Sequence, residues 1–263
     1  MIAAERYNRV RRGVAEGRLL VTGWGALERV SVETVPTTLD LSREQRREIP
    51  AAVAALRAKG CVVTDGPTYR LESWSVGDSL HLRLSERSYF DSVVLKQNPQ
   101  WNLRSQVLAL VCLTRCQDGY LVEMRSQKVA SLAGHLHPLP SGSVEPHSHP
   151  LDTLYTEAHE ELGLEAHELS EIYCLGLVYG ELSGVYQLVC RATTERSLAD
   201  IESRACSGAW ERSQLLCAPA DREALSRWLE ENRSLLTVGG YTALVMEGGS
   251  RWGTAWLEER LEC

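Results

Sequence analysis

The sequence predicts an α/β fold in which a mixed sheet carries helices on both sides, preceded by a smaller α+β region. Three observations lead there. Strand-like segments of apolar alternation are interleaved with helix-like segments rather than grouped by type. The 263 residues, 44 % hydrophobic and 24 % charged, suffice to bury a sizeable core. Neither an internal repeat nor a low-complexity tract points to a solenoid or a disordered chain.

Taken in order, residues 18–34 (RLLVTGW, then ERVSVETV) read as strands. Residues 41–60 read as helix ending at Gly60, with Pro50 implying a kink or two short helices. TYRLESWSV and DSLHLRLSE alternate like two antiparallel strands joined at Gly77-Asp78, and a short helix follows over 89–95. The polar, turn-rich run KQNPQWN, residues 96–102, marks a boundary between an N-terminal α+β region, 1–100, and a second domain, 101–263. There SQVLALVCLTR and GYLVEMRS predict a hairpin of buried strands across Gln117-Asp118-Gly119. A histidine-rich loop, a helix over 150–162, the strands EIYCLGLVYGE and GVYQLVCRAT, a strand near 209–216 and helices from residue 220 complete the order.

The formal charge is −7, and the 28 Lys and Arg are scattered apart from short clusters such as Arg9, Arg11 and Arg12. A nucleic-acid partner, which needs a concentrated basic face, is not expected. No apolar run has the length of a signal-peptide centre or a membrane span, so no membrane partner and a cytoplasmic location are expected. Eight Cys without a CxxC pair read as small buried hydrophobes, with Cys263 an exposed exception.

The chemistry concentrates in GHLHPLPSGSVEPHSHPLDTLYTEAHEELGLE, residues 134–165. Pro150 suits the first turn of a helix and Gly163 the position just past its end. Between them Glu157, Glu160 and Glu161 stand at i, i+3 and i+4, converging on one face. Such like-charge pairs cost a helix about 0.2–0.5 kcal/mol each. Solvation on an exposed face accounts for them, and so does a site for a hard divalent ion, which takes carboxylate oxygens.

Residues 142–164 resemble the signature of the Nudix hydrolase superfamily, G-x5-E-x7-R-E-U-x-E-E-x-G-U with U a bulky apolar residue, without a gap. Gly142 takes the first Gly, Glu157 the Glu after the Arg, Glu160 and Glu161 the paired Glu, Gly163 the last Gly and Leu164 the final apolar residue, with Ala158 at the middle apolar position. Ser148 stands where the first Glu belongs and Thr156 where the Arg belongs. The resemblance implies a Nudix α/β/α sandwich in which Glu157, Glu160 and Glu161 are catalytic and hold Mg²⁺ or Mn²⁺. It also implies that Gly142 lets the loop approach the metal and that Glu145 assists from the loop. A weaker resemblance links TYRLESWSVGDSLHLRLSERSYFDSVV to the segment preceding the Nudix domain in UDP-sugar pyrophosphatases. The implied activity is Mg²⁺-dependent cleavage of a nucleoside diphosphate linked to another group, such as a sugar. The alternative is a nucleotide-binding or regulatory module that has lost hydrolysis through Ser148 and Thr156.

Four histidines in two His-x-His pairs, His135, His137, His147 and His149, offer either a four-nitrogen metal site or residues at the two ends of the loop. In the Nudix reading His147 and His149 line the substrate cleft, and either imidazole is a candidate base. Arg125, ending a strand before the loop, is a candidate contact for an anionic substrate. Trp101, Tyr179 and Trp210 are candidates to stack on a base, with core packing as the alternative. The N-terminal region is expected to cover the cleft, to pair a second subunit in a homodimer, or to extend the sheet through strands 68–84.

Overall fold

The computed structural model describes residues 6–14, 17–181 and 183–261, so Cys263 lies outside the described residues. Strands β1 (Arg6–Val14) and β2 (Gly17–Ala26) pair antiparallel. After β3 (Ser31–Thr34) come α1 (Arg43–Arg47) and α2 (Ile49–Ala58), two short helices rather than one because Pro50 opens the second. Next are β4 (Pro67–Val76), β5 (Leu80–Ser88) and α3 (Tyr89–Gln97). β6 (Leu108–Cys116), β7 (Gly119–Arg125), β8 (Leu136–Pro138) and β9 (Ser141–Ser143) lead to α4 (Pro150–Leu162). The chain continues through β10 (Ser170–Gly180), β11 (Val185–Thr193), α5 (Leu198–Glu202) and β12 (Arg212–Ala218) to α6 (Arg222–Asn232), α7 (Val238–Trp252) and α8 (Thr254–Leu261).

The large sheet runs β1-β2-β10-β11-β6-β7-β12, with β8 on β7 and β9 on β6, and its central β11–β6 pair is parallel. Successive residues of the central strands serve opposite layers, as the two-residue strand period requires. Leu108, Leu110, Cys112 and Leu188 pack with Leu154, Ala158 and Leu162 of α4. Leu113, Val122 and Val189 pack with Ala243, Leu244 and Val245 of α7. The expected helices on both sides of a mixed sheet are thus present.

A second sheet, β3-β5-β4, stands over α4's side of the molecule, tied to the first by an isolated bridge between Arg70 and Val107 and by Tyr69 N–H to Val144 O (3.0 Å). Strands 68–84 therefore form their own small sheet, and β1–β2 are what extend the large one. The topology crosses the boundary expected near residue 100, because residues 6–26 belong to the same sheet as β6 to β12. The expected hairpin across Gln117 and Asp118 pairs only at Arg115–Tyr120 and Cys116–Gly119; below its tip β8 and β9 take the places beside β7 and β6. No helix among the described residues is long and apolar enough to cross a membrane.

Candidate active site

Helix α4 is set by its two ends. Its N-cap is His149, whose Nδ1 accepts the Leu151 N–H (3.1 Å) while Asp152 accepts the His149 N–H (2.8 Å), a reciprocal capping box. At the far end Gly163 adopts φ 65°, the left-handed conformation a glycine tolerates best. The helix lies against the 141–145 loop. Glu161 is buried and its carboxylate accepts the Ser141 N–H (2.9 Å). Glu157 lies so close to Gly142 that an ideal Cβ there would overlap its carboxylate. The first glycine of the signature therefore makes room for a glutamate side chain, where the sequence led us to expect room for a metal.

A cavity of about 470 Å³ opens in front of this arrangement, bounded by the 62–68 segment, α3, β6, the 141–145 loop and the turn before β12. Glu157, Glu145 and Glu211 line it on the acidic side, and Arg125 and Lys96 bring positive charge. Val62, Leu132 and Trp210, 52 %, 42 % and 37 % exposed, place large apolar side chains at the same cavity.

The carboxylates here strain against one another. Burial, then the charges of Glu160, Glu211 and Glu145, push Glu157 up to about 8. Burial, then Glu157 and Glu123, raise Glu161 well above the carboxylate range although the Ser141 N–H opposes this. Glu123, on β7, is pushed up to about 7 by burial against the opposing charge of Arg125, which it meets at 3.0 Å. Burial, opposed by Arg125, raises Glu211 too. On the cationic side, desolvation and then the charge of Arg125 lower Lys96.

Gly142, Glu145, Glu157 and Arg125 line one cavity. Glu161 stands behind the loop, and Glu160 is exposed, reaching Glu157 and Glu211 through its charge alone. The two histidines expected in the cleft are elsewhere. The His147 ring is turned outward to Glu86 (3.1 Å), and the His147 backbone N–H donates to the Tyr69 hydroxyl. His149 is committed to the helix cap, with Nε2 donating to Val30 O (2.7 Å), so both ring nitrogens are used. His135 lies by Ala133 O, and His137 is buried on Thr237 Oγ1 (2.6 Å), where burial and the Arg125 charge hold it down at about 3. Four separate sets of partners remove the four-nitrogen metal site.

Among the described residues no three His, Cys, Asp or Glu side chains converge on one metal-sized position. Glu161 faces Ser141 and Glu123 faces Arg125 instead. The donor type alone, carboxylate throughout, suits a hard divalent cation. Ser148 Oγ donates to Glu145 O (2.7 Å) and Thr156 is exposed, so neither replaces the acid or the cation of the signature. Glu123 and Glu211 were missed from the sequence. A glutamate inside the apolar strand GYLVEMR was the available signal for the first, and the second had none.

Of the aromatic candidates, Trp210 borders the cavity, Tyr179 packs on Tyr186 (centroids 4.7 Å apart), and Trp101 packs against the cluster of α2 and α3.

Solved Nudix hydrolases are among the structures that match this chain. The MutT protein from Methanosarcina mazei Go1 is 20 % identical over 56 % of this chain and 94 % of its own, with a TM-score of 0.42. RenU, a Nudix hydrolase from M. smegmatis, is 19 % identical over 56 % and 84 %, with a TM-score of 0.38. A bifunctional NMN adenylyltransferase/ADP ribose pyrophosphatase from Francisella tularensis, in complex with AMP and a Mn ion, is 12 % identical over 62 % of this chain and 49 % of its own, with a TM-score of 0.42. No family model and no curated protein matches the chain. The functional reading rests on the side chains of the loop, the helix and the cavity.

Proposed function

We propose that the chain is a divalent-metal-dependent pyrophosphohydrolase acting on a nucleoside diphosphate linked to a second group. The observation that supports it most is the placement of Glu157 and Glu161 against the 141–145 loop, with Glu157 lining a cavity that also holds Arg125 and Lys96. Glu157, Glu160 and Glu161 would hold Mg²⁺ or Mn²⁺, with Glu123 and Glu211 adding negative charge around them. A cation held by these residues would supply Lewis-acid polarisation of phosphoryl oxygens and neutralise diphosphate charge.

The chain's own residues do the rest. Arg125 and Lys96 bind the anionic diphosphate and orient it along the cavity. Glu211 lines the cavity outside the helix trio, and we assign it to take the proton from the attacking water. Trp210 and Val62 give a planar base an apolar surface to rest on.

Ser148 and Thr156 favour one second reading, a module that binds such a compound without cleaving it, because neither supplies the group the signature calls for. A panel of nucleoside-diphosphate compounds, incubated with and without Mg²⁺ or Mn²⁺ and resolved by chromatography, separates the two. Metal-dependent product supports the hydrolase. Stoichiometric binding with no product supports the module.

A further inference from the structure

β6 and β7 pair directly at the tip of their hairpin, at Arg115–Tyr120 and Cys116–Gly119, and below it they part around β9 and β8. The cavity is lined from both sides of this parting, by Ala109 and Gly142 on one and by Arg125 and His137 on the other. At the closed end two thiols meet. Cys116 ends β6 and Cys217 lies on β12, 101 positions later and beyond β7, yet their sulfurs are 3.5 Å apart. Gly119 of β7 permits this contact: a Cβ there would run into Ala218 O and touch the Cys217 Cβ.

The two thiols are not equivalent. The hydrogen bond from Cys217 and the backbone N–H groups of Asp118 and Gly119 favour a thiolate at Cys116 and hold it below the ordinary thiol range, against burial and the Asp118 charge. Cys217 is raised by the same bond and then by burial. Cys116 is 4 % exposed and Cys217 is half-buried, so a reagent for this pair has to be small. Cys174 and Cys190 also face each other, across β10 and β11, but both are 0 % exposed and burial raises Cys190. That second pair is shielded.

We propose that Cys116 and Cys217 are a peroxide-sensitive dithiol whose disulfide staples β12 to β6 across β7, at the closed end of the parting that the cavity occupies. The Cys116 thiolate attacks one oxygen of hydrogen peroxide, the O–O bond breaks, and the hydroxide released takes a proton from solvent to become water. The Cys217 sulfur then attacks the sulfenic acid at Cys116. The S–O bond breaks, the S–S bond forms, and the departing hydroxide takes the Cys217 proton as the second water. Two thiols are oxidised by two electrons and one peroxide is reduced to two waters. Oxidation of this pair is independent of what the cavity binds.

The test is treatment of the fully reduced chain with a small excess of hydrogen peroxide, then N-ethylmaleimide in denaturant, digestion and mass spectrometry. The expected result is one pair of peptides joined through Cys116 and Cys217, released again by dithiothreitol. In Cys217→Ser the resolving thiol is gone, so dimedone traps a sulfenic acid at Cys116. The melting temperature of the oxidised parent rises by several degrees over that of the reduced parent, because the bond closes a long loop. Absence of the 116–217 link, a link between Cys174 and Cys190 in its place, or trapping at other cysteines with Cys116 untouched overturns the dithiol. A link that leaves the melting temperature unmoved overturns the staple. The peptide map is read on the parent chain, so it decides even if Cys217→Ser does not fold.

Discussion

The carboxylate of Glu157 fills the space that a β-carbon on residue 142 would occupy. A glycine of β9 and a glutamate two turns into α4 are therefore one unit, and the loop can carry no side chain there without turning the glutamate away. Gly142→Ala is expected to lower kcat by about 10²-fold, the scale of a misplacement of about 1 Å in a reacting group. Steady-state kinetics on the best compound of the panel, with circular dichroism to confirm the fold, checks it.

Repulsion among the carboxylates makes a second prediction, about stability. Glu157→Gln removes one of several like charges crowded at the cavity, so the metal-free variant should be more stable than the parent by about 1 kcal/mol while losing turnover. Mg²⁺ should raise the melting temperature of the parent more than that of the variant, because binding to the folded state alone is what stabilises it. Urea unfolding in EDTA and melting curves across a Mg²⁺ titration read the two effects.

The small sheet is held by a different pair, and here the sign is reversed. Burial opposes charge on Glu72, but Arg70, Ser85 and Thr38 outweigh it and bring the carboxyl down from 4.5 to about 2. A depressed carboxyl contributes stability that is fully present above its unfolded value and lost as the pH falls through its folded one. Stability should therefore drop between pH 4.5 and about 2. Glu72→Gln should cost about 3 kcal/mol at neutral pH, since it strands Arg70, and should flatten the acid slope. Urea unfolding across this range measures both.

His149 is a cap, and its variants should behave accordingly. His149→Ala should lower stability by about 1 kcal/mol with KM little changed, and His149→Asn, which can still cap, should recover most of it. A large KM effect in both variants would return His149 to the substrate cleft.

These contrasts show which parts of the molecule are legible in a sequence. Helix α4 was read to its ends because Pro150 and Gly163 act locally, through a missing N–H and a left-handed backbone. β10 and β11 were found because apolar alternation is also a local signal. β1 was not, because RYNRVRRGV carries the charges of a sheet edge and little of the apolar pattern of a buried strand. β8 and β9 are three residues each and close on strands already found, which is a tertiary event. In the site, one helix face placed Glu157 and Glu161, whereas Lys96 and Glu211 come from other segments that only the fold brings together. The histidines misled because their number suggested shared purpose, and their rings are committed to separate partners, Val30 and Leu151 for His149, Thr237 for His137, Ala133 for His135 and Glu86 for His147.

The most direct measurement is turnover of one diphosphate-linked compound by the parent chain, Glu157→Gln and His147→Ala, side by side with and without Mg²⁺. The account predicts metal-dependent product from the parent and from His147→Ala, and a loss of at least about 10²-fold in Glu157→Gln. Undiminished product from Glu157→Gln, or product that ignores the metal, would contradict it.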